Sequence, residues 1–156
     1  MDTASHGFWT YIIWHSLPFP GLAVLAGVLP DVLAFAPGFT YGFLHPKMFR
    51  RGPEAWERQP KWIRNWAERT YRFTHSLIIS AMVIGAVYMM YGFQWWILAW
   101  PLHILIDIPT HSKKFFPTPF LWPVSEYRFN GISWANKWFM AADLSLLIIV
   151  YALVLL

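Results

Sequence analysis

The sequence predicts an all-α integral membrane protein, a single domain over residues 1–156 with a bundle of four or five membrane helices plus an interfacial amphipathic helix. Three observations carry that expectation. Hydrophobic residues make up 57% of the chain and charged residues only 13%, about half the charge of an ordinary soluble domain. The 11 tryptophans and 7 tyrosines suit a surface that meets the lipid headgroups. All twelve Lys and Arg residues fall in two stretches that separate apolar runs. With no cysteine in the chain, disulfides and thiolate metal sites are excluded, and an ion would need His, Asp, Glu or backbone oxygen. The formal net charge of +4 fits anionic headgroups beside the apolar spans, so membrane lipids rather than nucleic acid are the expected partners.

Each element follows in chain order. Met1 to Leu17 is too short and too polar for a secretory signal, and reads as a short helix capped by Asp2 or Thr3, with Phe8, Trp9, Ile12 and Ile13 on its apolar face. Leu17 to Pro20 should turn the chain. Gly21 to Phe35 is a second helix, with Pro30-Asp31 near its far end and Pro37-Gly38 as its stop. It is short for a full crossing. Gly38 to Arg72 holds eight basic residues, Lys47, Arg50, Arg51, Arg58, Lys61, Arg64, Arg69 and Arg72. Within it, Lys61 to Phe73 places Trp62, Ile63, Trp66 and Phe73 on one side, the pattern of an interfacial helix.

Thr74 to Tyr91 reads as the next span, and Gly92-Phe93-Gln94 turns it into Trp95 to Thr110, so the two make a helical hairpin. Trp95, Trp96 and Trp100 are expected to anchor that hairpin at the outer interface and to pack the bundle. Ser112 to Lys137 carries the other four basic residues and the proline-rich run Phe116 to Pro123. Trp138 to Leu156, about 19 residues, is long enough to cross, although Asp143 interrupts it. No internal repeat or low-complexity segment stands out.

The positive-inside bias puts both basic stretches in the cytoplasm. His6, Asp31, His75, His103, Asp107 and His111 can then meet at one depth near the cytoplasmic face. His15 is carried to the opposite end, and His45 reads as a loop residue.

The densest polar stretch is His103 to His111, which runs His-Ile-Leu-Ile-Asp-Ile-Pro-Thr-His. On an α-helix, residues i and i+4 stack about 6 Å apart along the axis, so His103 and Asp107 can share an ion. At i+8, His111 drifts round by about 80°, and Pro109 can bend the last turn to bring it back. A metal site is one reading of this spacing. A His and Asp that only bond each other or line a proton path is the other.

His6, Pro30-Asp31, Arg72-Phe73-Thr74-His75-Ser76 and His103 to Thr110 followed by Pro119-Phe120 resemble the membrane-bound metal-dependent hydrolases, a family of small bacterial and archaeal inner-membrane proteins. The resemblance covers nearly the whole chain. It implies a helical fold in the prokaryotic cytoplasmic membrane and a metal site on His6, Asp31, His75, His103 and Asp107, to which the local spacing adds His111. Tyr71 is a departure, standing where such proteins often carry a further His.

Imidazoles and carboxylates without thiolates suit a divalent metal, zinc first, with manganese or iron also tolerated. In the hydrolase reading, Asp107, His103 and His75 are the catalytic centre. Arg72, Lys113 and Lys114, with Arg69 nearby, would hold an anionic, lipid-like ester or phosphodiester, because guanidinium and ammonium groups bind phosphate oxygens. Held singly, each such cation equally serves to bind headgroups. Thr74, Ser76 and Thr110 are candidates to orient ligands or to cap helices. Asp143 can act as a ligand or pair with Lys137 or a buried His, and Glu126 can accept a proton if its loop folds over the site. The competing reading is a non-enzymatic membrane protein whose His and Asp cluster binds a structural ion or relays protons.

Overall fold

The computed structural model describes residues 1–45 and 56–155. Lys47, Arg50 and Arg51 of the first basic stretch lie outside the described residues. Among those described the chain is all-helical without strands: α1 (Thr3–Trp14), α2 (Pro20–Leu44), α3 (Lys61–Thr74), α4 (Leu77–Tyr91), a 3-10 turn (Trp95–Leu98), α5 (Ala99–Thr110) and α6 (Lys137–Leu155).

Asp2 caps α1 by accepting from the Ala4 and Ser5 backbone N–H groups at 3.1 and 3.0 Å. The expected end of the second helix near Phe35 is wrong, since α2 continues for 25 residues through Pro30 and Pro37. A proline inside a helix leaves the carbonyl four residues earlier without its N–H. In α2 the carbonyl freed by Pro37 belongs to Leu33, and the indole N–H of Trp66 donates to it at 3.0 Å. That substitute bond lets the helix run on, as neighbouring groups do for prolines in membrane helices. Asp31 consequently sits in mid-helix, not at an end.

The next two elements follow expectation closely: the helices expected over Lys61 to Phe73 and Thr74 to Tyr91 are Lys61–Thr74 and Leu77–Tyr91. The chain breaks at His75 and Ser76, and α3 and α4 meet there at a bend of 62°. Ser76 caps α4 by accepting from the Ile79 N–H at 3.2 Å. The freed Thr74 carbonyl at the end of α3 accepts from the Trp100 indole at 2.7 Å. Trp100 thereby ties α5 to the break after α3, the packing part of its expected role. On α3 the buried stripe is Ile63, Ala67, Tyr71 and Thr74, while Trp62, Trp66 and Phe73 are exposed. This helix meets α2 through the ring of Tyr71, which lies 5.8 Å from that of Phe35, and through the Trp66 indole, while Trp62 and Phe73 face outward.

Among the described residues, two helices are long and apolar enough to cross a membrane, Pro20–Leu44 and Lys137–Val154, with the bent α3–α4 pair a third if it counts as one span. With 15 and 12 residues, α4 and α5 singly fall short of the about 20 that a crossing needs. Gly92, at a φ of 73°, ends α4 in the left-handed region that glycine adopts without penalty, and the 3-10 turn then leads into α5.

The helices α1, α2, α3 and α5 surround a common interior. α1 and α2 approach closely at Gly27, where any Cβ would collide with the Thr10 side chain. α6 stands apart, and among its described side chains only Leu147 is buried. It is fastened to α1 by Asp143, which accepts from the Ser5 hydroxyl at 2.7 Å and the Trp9 indole at 2.8 Å. Asp143 thus pairs with α1, not with Lys137 or a histidine. The segment after α5 is stitched back onto its end, with the Gly131, Ile132 and Trp134 N–H groups donating to the carbonyls of His111, Pro109 and Thr110 at 2.8 to 2.9 Å.

Candidate metal centre

Three helices and one helix break bring six polar side chains into the interior. His6 comes from α1, Asp31 from α2, His75 from the break after α3, and His103 and Asp107 from successive turns of α5, with His111 just beyond. All six are buried, none more than 5% exposed. One ligand atom each from Asp31, His75, His103 and Asp107 lies within 4.8 Å of the other three.

The hydrogen bonds around these four fix which atoms point inward. The Nδ1 of His103 lies 2.7 Å from the Gly27 carbonyl, which can only accept, so Nδ1 carries the proton and Nε2 presents a lone pair. Thr74 donates its one hydroxyl proton to the Pro30 carbonyl at 3.2 Å, so at 3.0 Å from His75 Nδ1 its oxygen accepts. His75 Nε2 therefore also presents a lone pair when the ring is neutral. The two Nε2 atoms face each other at 3.1 Å.

Two carboxylates complete the set. Asp31 accepts on Oδ2 from the Thr3 hydroxyl at 2.7 Å, leaving Oδ1 turned inward, 3.4 Å from His75 Nε2 and 3.8 Å from His103 Nε2. Asp107 Oδ2 stands 3.4 and 3.3 Å from the same two nitrogens, and it is buried without a hydrogen-bond partner. With both rings neutral, four lone-pair atoms converge with no donor between them, a costly arrangement unless a cation joins them. The spacing suits one. A first-row divalent ion holds N and O ligands at about 2.0 to 2.2 Å, which puts the corners of a tetrahedron about 3.3 to 3.6 Å apart. The donor set of two imidazoles and two carboxylates fits a divalent metal.

The remaining histidines stand beside this set. His6 donates from Nε2 to Asp107 Oδ1 at 2.8 Å, and its ring stacks on His103 with centroids 3.7 Å apart. The Met1 amino group contacts the same Oδ1 at 2.5 Å and the Thr110 hydroxyl at 2.7 Å. His111 Nε2 lies 3.8 Å from Asp107 Oδ1. Burial, above all, pushes the His111 imidazole down to about 4, so the ring is neutral at pH 7. In this geometry His6 orients Asp107 from outside the four-atom group, and His111 lies one step further out.

Tyr71 is the functional residue that spacing arguments missed. Its hydroxyl donates to the Phe116 carbonyl at 3.0 Å and so accepts from His111 Nδ1 at 2.7 Å. Its ring stacks on His75 at 3.7 Å. The buried Ile63, Ala67, Tyr71, Thr74 periodicity held the signal, since it places Tyr71 on the inner face of α3 one turn before His75.

The expected substrate cations do not touch the cluster. Arg72, Lys113 and Lys114 are exposed, and Arg72 pairs with Glu126 at 2.9 Å. Glu126 also meets Arg128 at 3.3 Å and is itself exposed, so its carboxylate faces away from the cluster. His15 and His45 bond to local carbonyls of Ile12 and Tyr41, away from the centre. Ser76 donates to the Trp122 carbonyl and caps α4, and Thr110 donates to the Ile106 carbonyl at 3.0 Å. Neither bonds a member of the four-atom set. No family model, curated protein or solved structure matches this chain.

Proposed function

We propose that the protein is a membrane-embedded hydrolase that depends on a divalent metal held by Asp31, His75, His103 and Asp107, with zinc the first choice of ion. One observation carries the reading: two locked Nε2 lone pairs and two carboxylate oxygens, one of them unpartnered, face one another without a proton donor. The resemblance to the membrane-bound metal-dependent hydrolases supports the same reading from the sequence side. A bound metal of this kind lowers the pKa of water to about 7, making it a nucleophile at neutral pH. The chain's own part is to orient: Thr74 and the Gly27 carbonyl hold the two imidazoles, Thr3 holds Asp31, and His6 holds Asp107, the kind of outer support on which metal affinity depends.

The expected setting is a prokaryotic cytoplasmic membrane, with the basic segments on the cytoplasmic side. Four or five crossings would require the hairpin of α4 and Trp95–Thr110 to enter the membrane beside α2 and α6. A lipid-like ester or phosphodiester is the substrate class that suits the basic rim of Arg72, Lys113 and Lys114.

A second reading rests on the closure of the set. Four protein ligands fill a tetrahedron as they do in structural zinc sites, whereas catalytic sites keep a position for water. Detergent-purified protein offered simple ester and phosphodiester substrates separates the two. The hydrolase reading expects turnover that a chelator abolishes and added metal restores. The structural reading expects no turnover, and loss of thermal stability on chelation.

A further inference from the structure

We propose that a surface cavity beside the metal centre binds a phosphate group, the anionic end of the substrate; the inference rests on the hydrolase reading and gives its substrate an anchoring point. The cavity is an open surface depression of about 380 Å³ lined by Lys113, Pro117, Glu126, Tyr127 and Arg128. That volume lies within the range of about 300 to 1,000 Å³ usual for small-molecule sites.

Its charge is arranged for an anion. Glu126, the one carboxylate in the lining, is engaged by Arg72 at 2.9 Å and Arg128 at 3.3 Å. The carboxylate therefore fixes two guanidinium groups on one rim. Lys113, also in the lining, makes no ion pair among the described residues, and its backbone N–H is tied to Asn130 Oδ1 at 2.9 Å. The lining holds two cations against one carboxylate, and Arg72, bonded to Glu126 from outside it, adds a further positive charge; guanidinium with ammonium is the pairing that phosphate oxygens accept best.

The position links the cavity to the chemistry. Pro117 lies between Phe116, whose carbonyl accepts from Tyr71, and Thr118, whose hydroxyl is 3.5 Å from the same Tyr71 oxygen. Tyr71 in turn accepts from His111, which faces Asp107. Lys113 follows His111 by two residues, and the Gly131 N–H, three residues after Arg128, donates to the His111 carbonyl at 2.9 Å. Tyr71 and His111 are thus the layer between the cavity and the metal ligands. A phosphate held at Lys113 and Arg128 would place the rest of its molecule against that layer.

Phosphate chemistry is shared by anionic lipid headgroups and soluble phosphate esters, and the test distinguishes them. The full chain in phosphatidylcholine nanodiscs is titrated with inorganic phosphate and with glycerol phosphate, and binding is read by phosphorus NMR line broadening. The expected result is saturable binding that the Lys113→Gln, Arg128→Gln double variant weakens by about tenfold or more. The charge-keeping pair Lys113→Arg, Arg128→Lys should retain it, and so should Asp107→Asn, which removes metal binding but not the cavity. Displacement of phosphate when phosphatidylglycerol replaces phosphatidylcholine assigns the site to a lipid headgroup, and no displacement assigns it to a soluble ester. Absence of saturable binding, equal binding in the double variant, or binding lost with Asp107→Asn overturns the proposal. If phosphate binds as expected while no metal-dependent turnover is found, the hydrolase reading fails and the anion site stands.

Discussion

Thr74 shows how one hydroxyl sets the chemistry of a neighbour. Because it donates to the Pro30 carbonyl, its oxygen can only accept from His75 Nδ1, and the opposite nitrogen is left to face the cluster. Thr74→Val keeps the shape and removes that acceptor, so divalent-metal affinity should fall by about 10- to 100-fold, the usual effect of losing an outer partner of a metal-bound His. Isothermal titration with zinc on detergent-purified protein reads it, and an unchanged affinity would mean that the tautomer of His75 is set elsewhere. His75→Ala and His103→Ala should lose the metal altogether, whereas His15→Ala and His45→Ala should keep it; equal loss in all four would indicate unfolding or adventitious binding. Much of this was legible in the sequence. The i, i+4 spacing put His103 and Asp107 on one side of a helix, and the order of polar residues brought Asp31 and His75 to them. Thr3 and Tyr71 were not legible as partners, because their contacts join α1 to α2 and α3 to the segment after α5, pairings that no local spacing encodes.

At the scale of the element, α2 is where sequence rules for helix ends fail for a stated reason. Pro37-Gly38 is a strong stop signal in water, but here Trp66 supplies the N–H that Pro37 lacks, and an apolar setting penalises an unpaired carbonyl more than a bent helix. Trp66→Phe should therefore lower stability by about 1 to 3 kcal/mol. In a Pro37→Ala background, where a backbone N–H can again close on Leu33, the same change should cost clearly less. Thermal unfolding of the four proteins of that cycle measures the coupling, and additive costs would show that Trp66 does not serve this carbonyl. The boundary between α3 and α4 was legible to within three residues, because the amphipathic pattern gives way to an apolar run after Phe73, whereas the 62° bend there, with the tertiary contact of Trp100 on the Thr74 carbonyl, was not. Asp143 makes the complementary case on α6. It reads in sequence as an isolated charge in a span, and in the fold it holds that helix to α1 through Ser5 and Trp9. Asp143→Leu should release α6 and lower the unfolding temperature without changing metal content, whereas lost metal would place Asp143 in the centre after all.

For the whole molecule, the all-helical class followed from composition and from apolar runs broken by basic stretches, while the number of crossings did not. Hydropathy marks apolar segments alike whether they cross, bend or stop short, and two or three of them here have the length to cross. The Arg72–Glu126 pair joins the two basic segments directly, so both should lie on one side of the membrane. Single cysteines at Gly52 and Ser125, tested with an impermeant thiol reagent on intact cells, should both resist labelling from outside. Labelling of either would reverse the expected topology. The central claim is that the buried convergence of Asp31, His75, His103 and Asp107 holds a divalent ion. Metal analysis of the protein purified without added metal or chelator, side by side with Asp107→Asn, tests it most directly. The wild type should carry a bound divalent ion, and Asp107→Asn should lose it at equal yield and fold. A wild type that carries no ion, takes none up on titration and melts unchanged in a chelator would contradict it.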